Sequence, residues 1–91
     1  HVRHAIISIG ALDADFGPSD SYLAEAEFAR MVLSRGETRI MLSDASKFGR
    51  TTLIKVCDFK DINRLITDGI PDAKLAAVLQ EAGVSVNVVA H

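Results

Sequence analysis

The sequence predicts an α/β domain: a mostly parallel sheet with flanking helices. Three observations point there. Short runs rich in β-branched residues, Ala5 to Ile9 and Thr38 to Ser43 foremost, alternate with two segments of helical period. The first of these runs is apolar on both parities, as expected of a strand covered on both faces. The resulting order, β-α-β-β-β-α-β, suits strands laid parallel with helical crossovers.

Each element has its own signal. Gly10 to Ser21 holds glycines, a proline, aspartates and serines, which is loop chemistry. Ser21 or Asp20 is placed to cap a helix running to about Arg35, with Ala24, Phe28, Met31 and Val32 as its buried stripe and Gly36 as its stop. Thr38 to Ser43 reads as a strand, and Thr51 to Cys57 as a further β-rich run. Asp58 to Asp61 makes a turn or a single helical turn. Arg64 to Thr67 is a strand that ends at Asp68-Gly69. Pro71 suits the first turn of a helix whose Leu75, Val78, Leu79 and Ala82 form one face and whose cap is Gly83. Val84, Val86 and Val88 then alternate with Ser85 and Asn87, giving a last strand with one polar face. No repeat, linker or low-complexity stretch divides the chain.

With 91 residues, the chain falls below the usual size of roughly 100–200 residues per domain, so it is one small domain or a piece of a larger one. Its opening, His1-Val2-Arg3-His4, runs almost at once into a strand pattern, and the expectation is a piece. A hydrophobic content of 48% with 24% charged residues marks a globular chain rather than a disordered one. No apolar run approaches the roughly 20 residues of a membrane span, so no membrane partner is expected and the cytoplasm is the default location. A net charge of −2 without any Lys/Arg cluster argues against a nucleic-acid surface. Cys57 is alone and reads as a buried strand thiol. The three histidines lie at the chain ends, and no side chains have metal-ligand spacing.

Chemistry concentrates in Ser43-Asp44-Ala45-Ser46-Lys47-Phe48-Gly49-Arg50, directly after a predicted strand. In open α/β sheets ligands are met beyond the carboxyl ends of strands. Lys47 offers a compact charge with three donors, suited to a phosphate or ring hydroxyl, or it is a solvated loop lysine. Asp44 either accepts from sugar hydroxyls or ends the strand in an Asx turn. Glu25, in the first helical turn, either points toward the same crevice or complements the helix dipole. Asp13 follows the first strand and is a second candidate acceptor, and Arg50 either pairs with a phosphate or forms an ordinary salt bridge. Asp68-Gly69 reads as a turn, and Phe48 and Phe59 as core.

Together these segments resemble the C-terminal effector-sensing domain of DeoR-family bacterial transcriptional regulators. The resemblance rests on Ala11-Leu12-Asp13 with Gly17, Glu25-Ala26-Glu27 with Arg30-Met31, the Ser43 to Arg50 block, Asp61-Ile62-Asn63 and Leu65-Ile66-Thr67-Asp68-Gly69. It implies a fold similar to ribose phosphate isomerase and the coenzyme A transferases, here its C-terminal part. Residues 1–91 are then a partial effector-sensing domain, without the helix-turn-helix domain through which alone such proteins meet operator DNA. The resemblance implies a sugar phosphate effector held by Asp13, Glu25, Asp44, Lys47 and Arg50, a homo-oligomer, no cofactor and no enzymatic activity. Ala11 departs from the family's usual glycine. A fragment of a sugar-phosphate isomerase, with Glu25 as base and Asp13 and Lys47 as polarising groups, is the alternative, although the isomerases' glycine-rich, lysine-bearing loop is missing.

Overall fold

The computed structural model describes residues 2–89. Its elements are β1 (Val2–Ser8), β2 (Ala11–Asp13), β3 (Gly17–Asp20), α1 (Leu23–Ser34), β4 (Gly36–Ser43), β5 (Ile54–Lys55), β6 (Arg64–Thr67), α2 (Ala73–Glu81) and β7 (Ser85–Val88), with single 3-10 turns at Ala45–Lys47 and Phe59–Asp61. Strands β1, β4, β6 and β7 form one sheet in that order, parallel throughout, and β2, β3 and β5 form a small antiparallel sheet beside it. The α/β class with a mainly parallel sheet is therefore as the sequence predicts.

Strand parity decides which side of the large sheet is core. Ile7, Met41 and Leu65 are successive partners across β1, β4 and β6, and all three are buried. They join Ile9, Leu12, Ala26, Ala29, Leu33, Phe59, Leu75 and Leu79 in a single cluster, so both helices cover this one face. The opposite parity carries Ile6, Ile40, Leu42 and Ile66, which are covered unevenly: Ile40 is buried and Ile66 half-buried, whereas Ile6 is 55% and Leu42 38% exposed. The expectation of a first strand covered on both faces is thus met on one face only.

Several local expectations need correction. The stretch from Gly10 to Ser21 is a hairpin rather than a loop, with Ala11 opposite Ser19, Leu12 opposite Pro18 and Asp13 opposite Gly17. Its turn closes through the positive φ of 91° at Gly17 and through Asp13 Oδ2, which accepts from Asp15 N at 3.0 Å and Phe16 N at 2.8 Å. In α1 the cap position is Tyr22 with no side-chain hydrogen bond, and the buried residues are Ala26, Ala29 and Leu33. Phe28 is 63% exposed instead. Two small side chains let the helix approach β1 closely, which the Phe28 face cannot do. The β-rich run Thr51 to Cys57 contracts to Ile54–Lys55, and Cys57 lies half-buried in the loop that follows.

Gly36 does not terminate the helix; it begins β4, where an added Cβ would run into the Cβ of Ala5 and come within 2.9 Å of its backbone nitrogen. By contrast α2 follows most of its sequence signals, although Pro71 precedes the Asp72 cap rather than lying in the first turn. Asp72 caps it through Leu75 N at 2.8 Å. At the other end Gly83 (φ 80°) donates to Gln80 O and Val84 to Leu79 O, a Schellman closure. No helix among the described residues is long and apolar enough to cross a membrane.

Candidate functional site

Three parallel strands end side by side. Ser8, Leu42 and Ile66 are cross-strand partners, and Ser43 pairs with Thr67 one residue further on. The chain turns polar there: Asp44 follows β4 and Asp68 follows β6. Two adjoining cavities open at this edge. The larger, about 630 Å³, lies between the end of β1 and the start of α1, lined by Ser8, Gly10, Asp20, Glu25, Phe28 and Lys47 among others. The smaller, about 350 Å³, lies over the ends of β4 and β6, lined by Ser43, Asp44, Lys47, Thr67 and Asp68 among others. Lys47 lines both.

The turn bearing Lys47 is held on several sides. Asp68 Oδ1 accepts from Ala45 N at 2.7 Å, tying the turn to the end of β6. Ser46 Oγ donates to Asp44 Oδ2. Beyond the turn, Gly49 N donates to Leu12 O at 2.8 Å, and Phe48 bridges to Leu12. Gly69 is required by contact, because a Cβ there would sit 2.5 Å from that of Ala45. The lysine therefore projects from a fixed backbone rather than from a free loop.

The edge is acidic. Asp20 and Glu25 share the larger cavity, and Asp20 is raised above its ordinary carboxylate range, first by burial and then by the charge of Glu25, against a hydrogen bond from the Gly10 backbone. Asp44 is lowered, chiefly by the Ser46 hydroxyl and further by Lys47. One ammonium thus faces carboxylates on both sides, a set of groups fitted to a ligand rich in hydroxyls that can donate to carboxylates.

Of the five residues proposed from sequence, the fold brings Glu25, Asp44 and Lys47 together at this edge. Asp13 is elsewhere: it closes the β2–β3 turn, beside the Asp15–Lys74 ion pair at 2.7 Å that ties the hairpin to α2. Arg50 is exposed beyond Gly49 and lines neither cavity. Asp20, Thr67 and Asp68 were not singled out as site residues. The signal that marked Asp44, a polar residue just past an apolar strand, applies equally to Thr67-Asp68.

A third cavity, about 440 Å³, holds Arg30, Arg39, Cys57 and Asp61. Its cations are already engaged, since Arg30 donates to the carbonyls of Lys55 and Val56 and Arg39 to that of Asp61. Burial, reinforced by Asp61 and Asp58, pushes the Cys57 thiol up to about 12, so it is not a nucleophile at neutral pH. No group of three or more His, Cys, Asp or Glu that could hold a metal ion occurs among the described residues.

The model of the DeoR C-terminal sensor domain matches residues 1–69, a span that contains every residue of the Lys47 edge except Val89. The chain belongs to the DeoR C-terminal sensor domain family. This sensor domain is 34% identical over 90 residues to a putative aga operon transcriptional repressor of Escherichia coli O157:H7, covering 98% of this chain and 33% of that protein. It is 29% identical over 89 residues to an uncharacterized HTH-type transcriptional regulator of Bacillus subtilis (strain 168), covering 98% and 34%. It is 27% identical over 67 residues to the glycerol-3-phosphate regulon repressor of Haemophilus influenzae (strain ATCC 51907 / DSM 11121 / KW20 / Rd), covering 74% and 26%. The sensor domain spans about a third of the length of the curated relatives it matches.

Proposed function

We propose that this sensor domain binds a phosphorylated sugar or related polyol phosphate at the Lys47 edge and so controls DNA binding by a helix-turn-helix domain of a cytoplasmic DeoR-type repressor. The observation that carries the reading is the position of Lys47, anchored at the carboxyl ends of parallel strands and common to two adjoining cavities. Glu25, Asp44 and Asp20 supply acceptors for hydroxyls around it. The relative named for glycerol 3-phosphate supports a polyol phosphate as the chemical class. Asp13 and Arg50 belong to the proposal only through the family resemblance.

Effector occupancy acts by favouring one arrangement of subunits in a homo-oligomer, which requires different effector affinities in the DNA-competent and DNA-incompetent states. No catalytic step is assigned to Glu25. The test is calorimetry of the protein at its full natural length against glycerol 3-phosphate, glucose 6-phosphate and fructose 1-phosphate, followed by operator retardation with and without the binder. One of these classes binds and changes operator affinity, and Lys47→Ala abolishes the response in a folded protein. Unchanged affinity in that variant would remove Lys47 from the site.

A further inference from the structure

The floor of the smaller cavity holds a group that the reading above leaves unused. Thr67 is only 2% exposed, and its Oγ1 finds no hydrogen-bond partner among the described residues. Among the described residues the other two buried polar side chains are satisfied: Ser43 Oγ, in the same cavity, donates to Asp44 O at 3.2 Å, and Ser19 Oγ, in β3, accepts from Thr52 Oγ1 at 2.7 Å. A buried hydroxyl without a partner lowers stability, and valine would fill the same space in the strand without that penalty. The hydroxyl is therefore unexplained by packing, and the residue that carries it lines a cavity shared with Lys47.

We propose that Thr67 is a ligand-contacting residue whose hydroxyl bonds an uncharged hydroxyl of the effector seated between the ends of β4 and β6. This rests on the effector reading above and specifies which part of the effector lies here. Asp44 and Asp68 line this cavity beside Lys47, so an effector hydroxyl seated there can donate to a carboxylate and accept from Thr67. In its present rotamer the hydroxyl is covered. Contact requires a χ1 rotation of about 120°, which carries the hydroxyl to a different staggered position and which strand backbone permits.

The test compares Thr67→Val with Thr67→Ser in the full-length protein. Without ligand, Thr67→Val melts no lower than the parent, because it removes an unpaired polar atom. For a sugar phosphate that binds the parent, Thr67→Val weakens affinity about tenfold and Thr67→Ser only slightly. The Thr67→Val factor is the same for the unphosphorylated parent sugar. A lower melting temperature of Thr67→Val, undiminished affinity in it, or equal losses in both variants would overturn the assignment. If no sugar phosphate binds, the effector reading fails, and Thr67 is judged with bare probes. A shift of its labelled methyl resonance with glycerol but not with inorganic phosphate sustains the hydroxyl contact; no shift with glycerol, or a shift with inorganic phosphate, ends it.

Discussion

The two faces of the four-stranded sheet are built from alternate residues of the same strands, yet they live in different surroundings. On one, Ile7, Met41 and Leu65 lie under both helices; on the other, Ile6 and Leu42 are partly open to solvent. Composition does not distinguish them, since both rows are aliphatic. What differs is the cover, and parallel sheets ordinarily have it on both sides. An aliphatic residue in a strand thus shows that a face is built to be covered, and the tertiary structure shows whether the cover is in place.

The sharpest way to break this comparison is a pair of truncations. Leu65→Ala, at a fully buried position, should cost about 3 kcal/mol in denaturant unfolding. Ile6→Ala, at a half-open one, should cost less than about 1 kcal/mol. Equal losses would mean that the open face is covered in solution.

Cover supplied by a second molecule is the next consequence. At micromolar concentration the 91-residue chain should self-associate through an interface of more than about 1,000 Å². Light scattering reads this, and Ile6→Lys should shift the population toward monomer while leaving the helical circular dichroism intact. A well-dispersed monomer of the parent chain would contradict it.

Titration gives a smaller contrast of the same kind, between a group under cover and one on the rim. Cys57 has a folded value of about 12 against an ordinary 9.0, so the stability associated with its neutral thiol is complete below pH 9.0 and is lost as pH rises toward 12. Cys57→Ala should flatten that alkaline decline, and alkylation of the native thiol at pH 8 should be far slower than in denaturant. Asp44 is lowered, so its contribution is present above the ordinary value of 3.8 and fades as pH falls through the folded one. Because it is fully exposed, the effect of Asp44→Asn on acid unfolding should be the smallest of the set.

The legible parts of the fold were those where local chemistry and tertiary role agree. β6 was read to the residue and the C-terminal end of α2 closely, because Gly83 and the Leu75/Leu79 spacing act locally, whereas Pro71 lies outside the helix, before the Asp72 cap. The β2–β3 hairpin was missed because its residues have poor strand propensity, and pairing with β5 and burial of Pro18 and Ser19 hold it instead. In α1 apolar residues occur on more than one face, and alanine, the weaker hydrophobic signal, packs inward. The candidate site divides likewise. Glu25, Asp44 and Lys47 meet because each follows or faces a strand end, whereas the tight turn after Asp13 commits that carboxylate to its own backbone.

The anchoring of the Lys47 turn has a kinetic meaning. Its backbone is tied to β6 through Asp68 and to β2 through Leu12 before any ligand arrives, so capture needs side-chain rotation but no loop folding. Observed association rates should therefore rise in proportion to ligand concentration in a single phase, and cutting the Asp68 tether should introduce a slower, concentration-independent one.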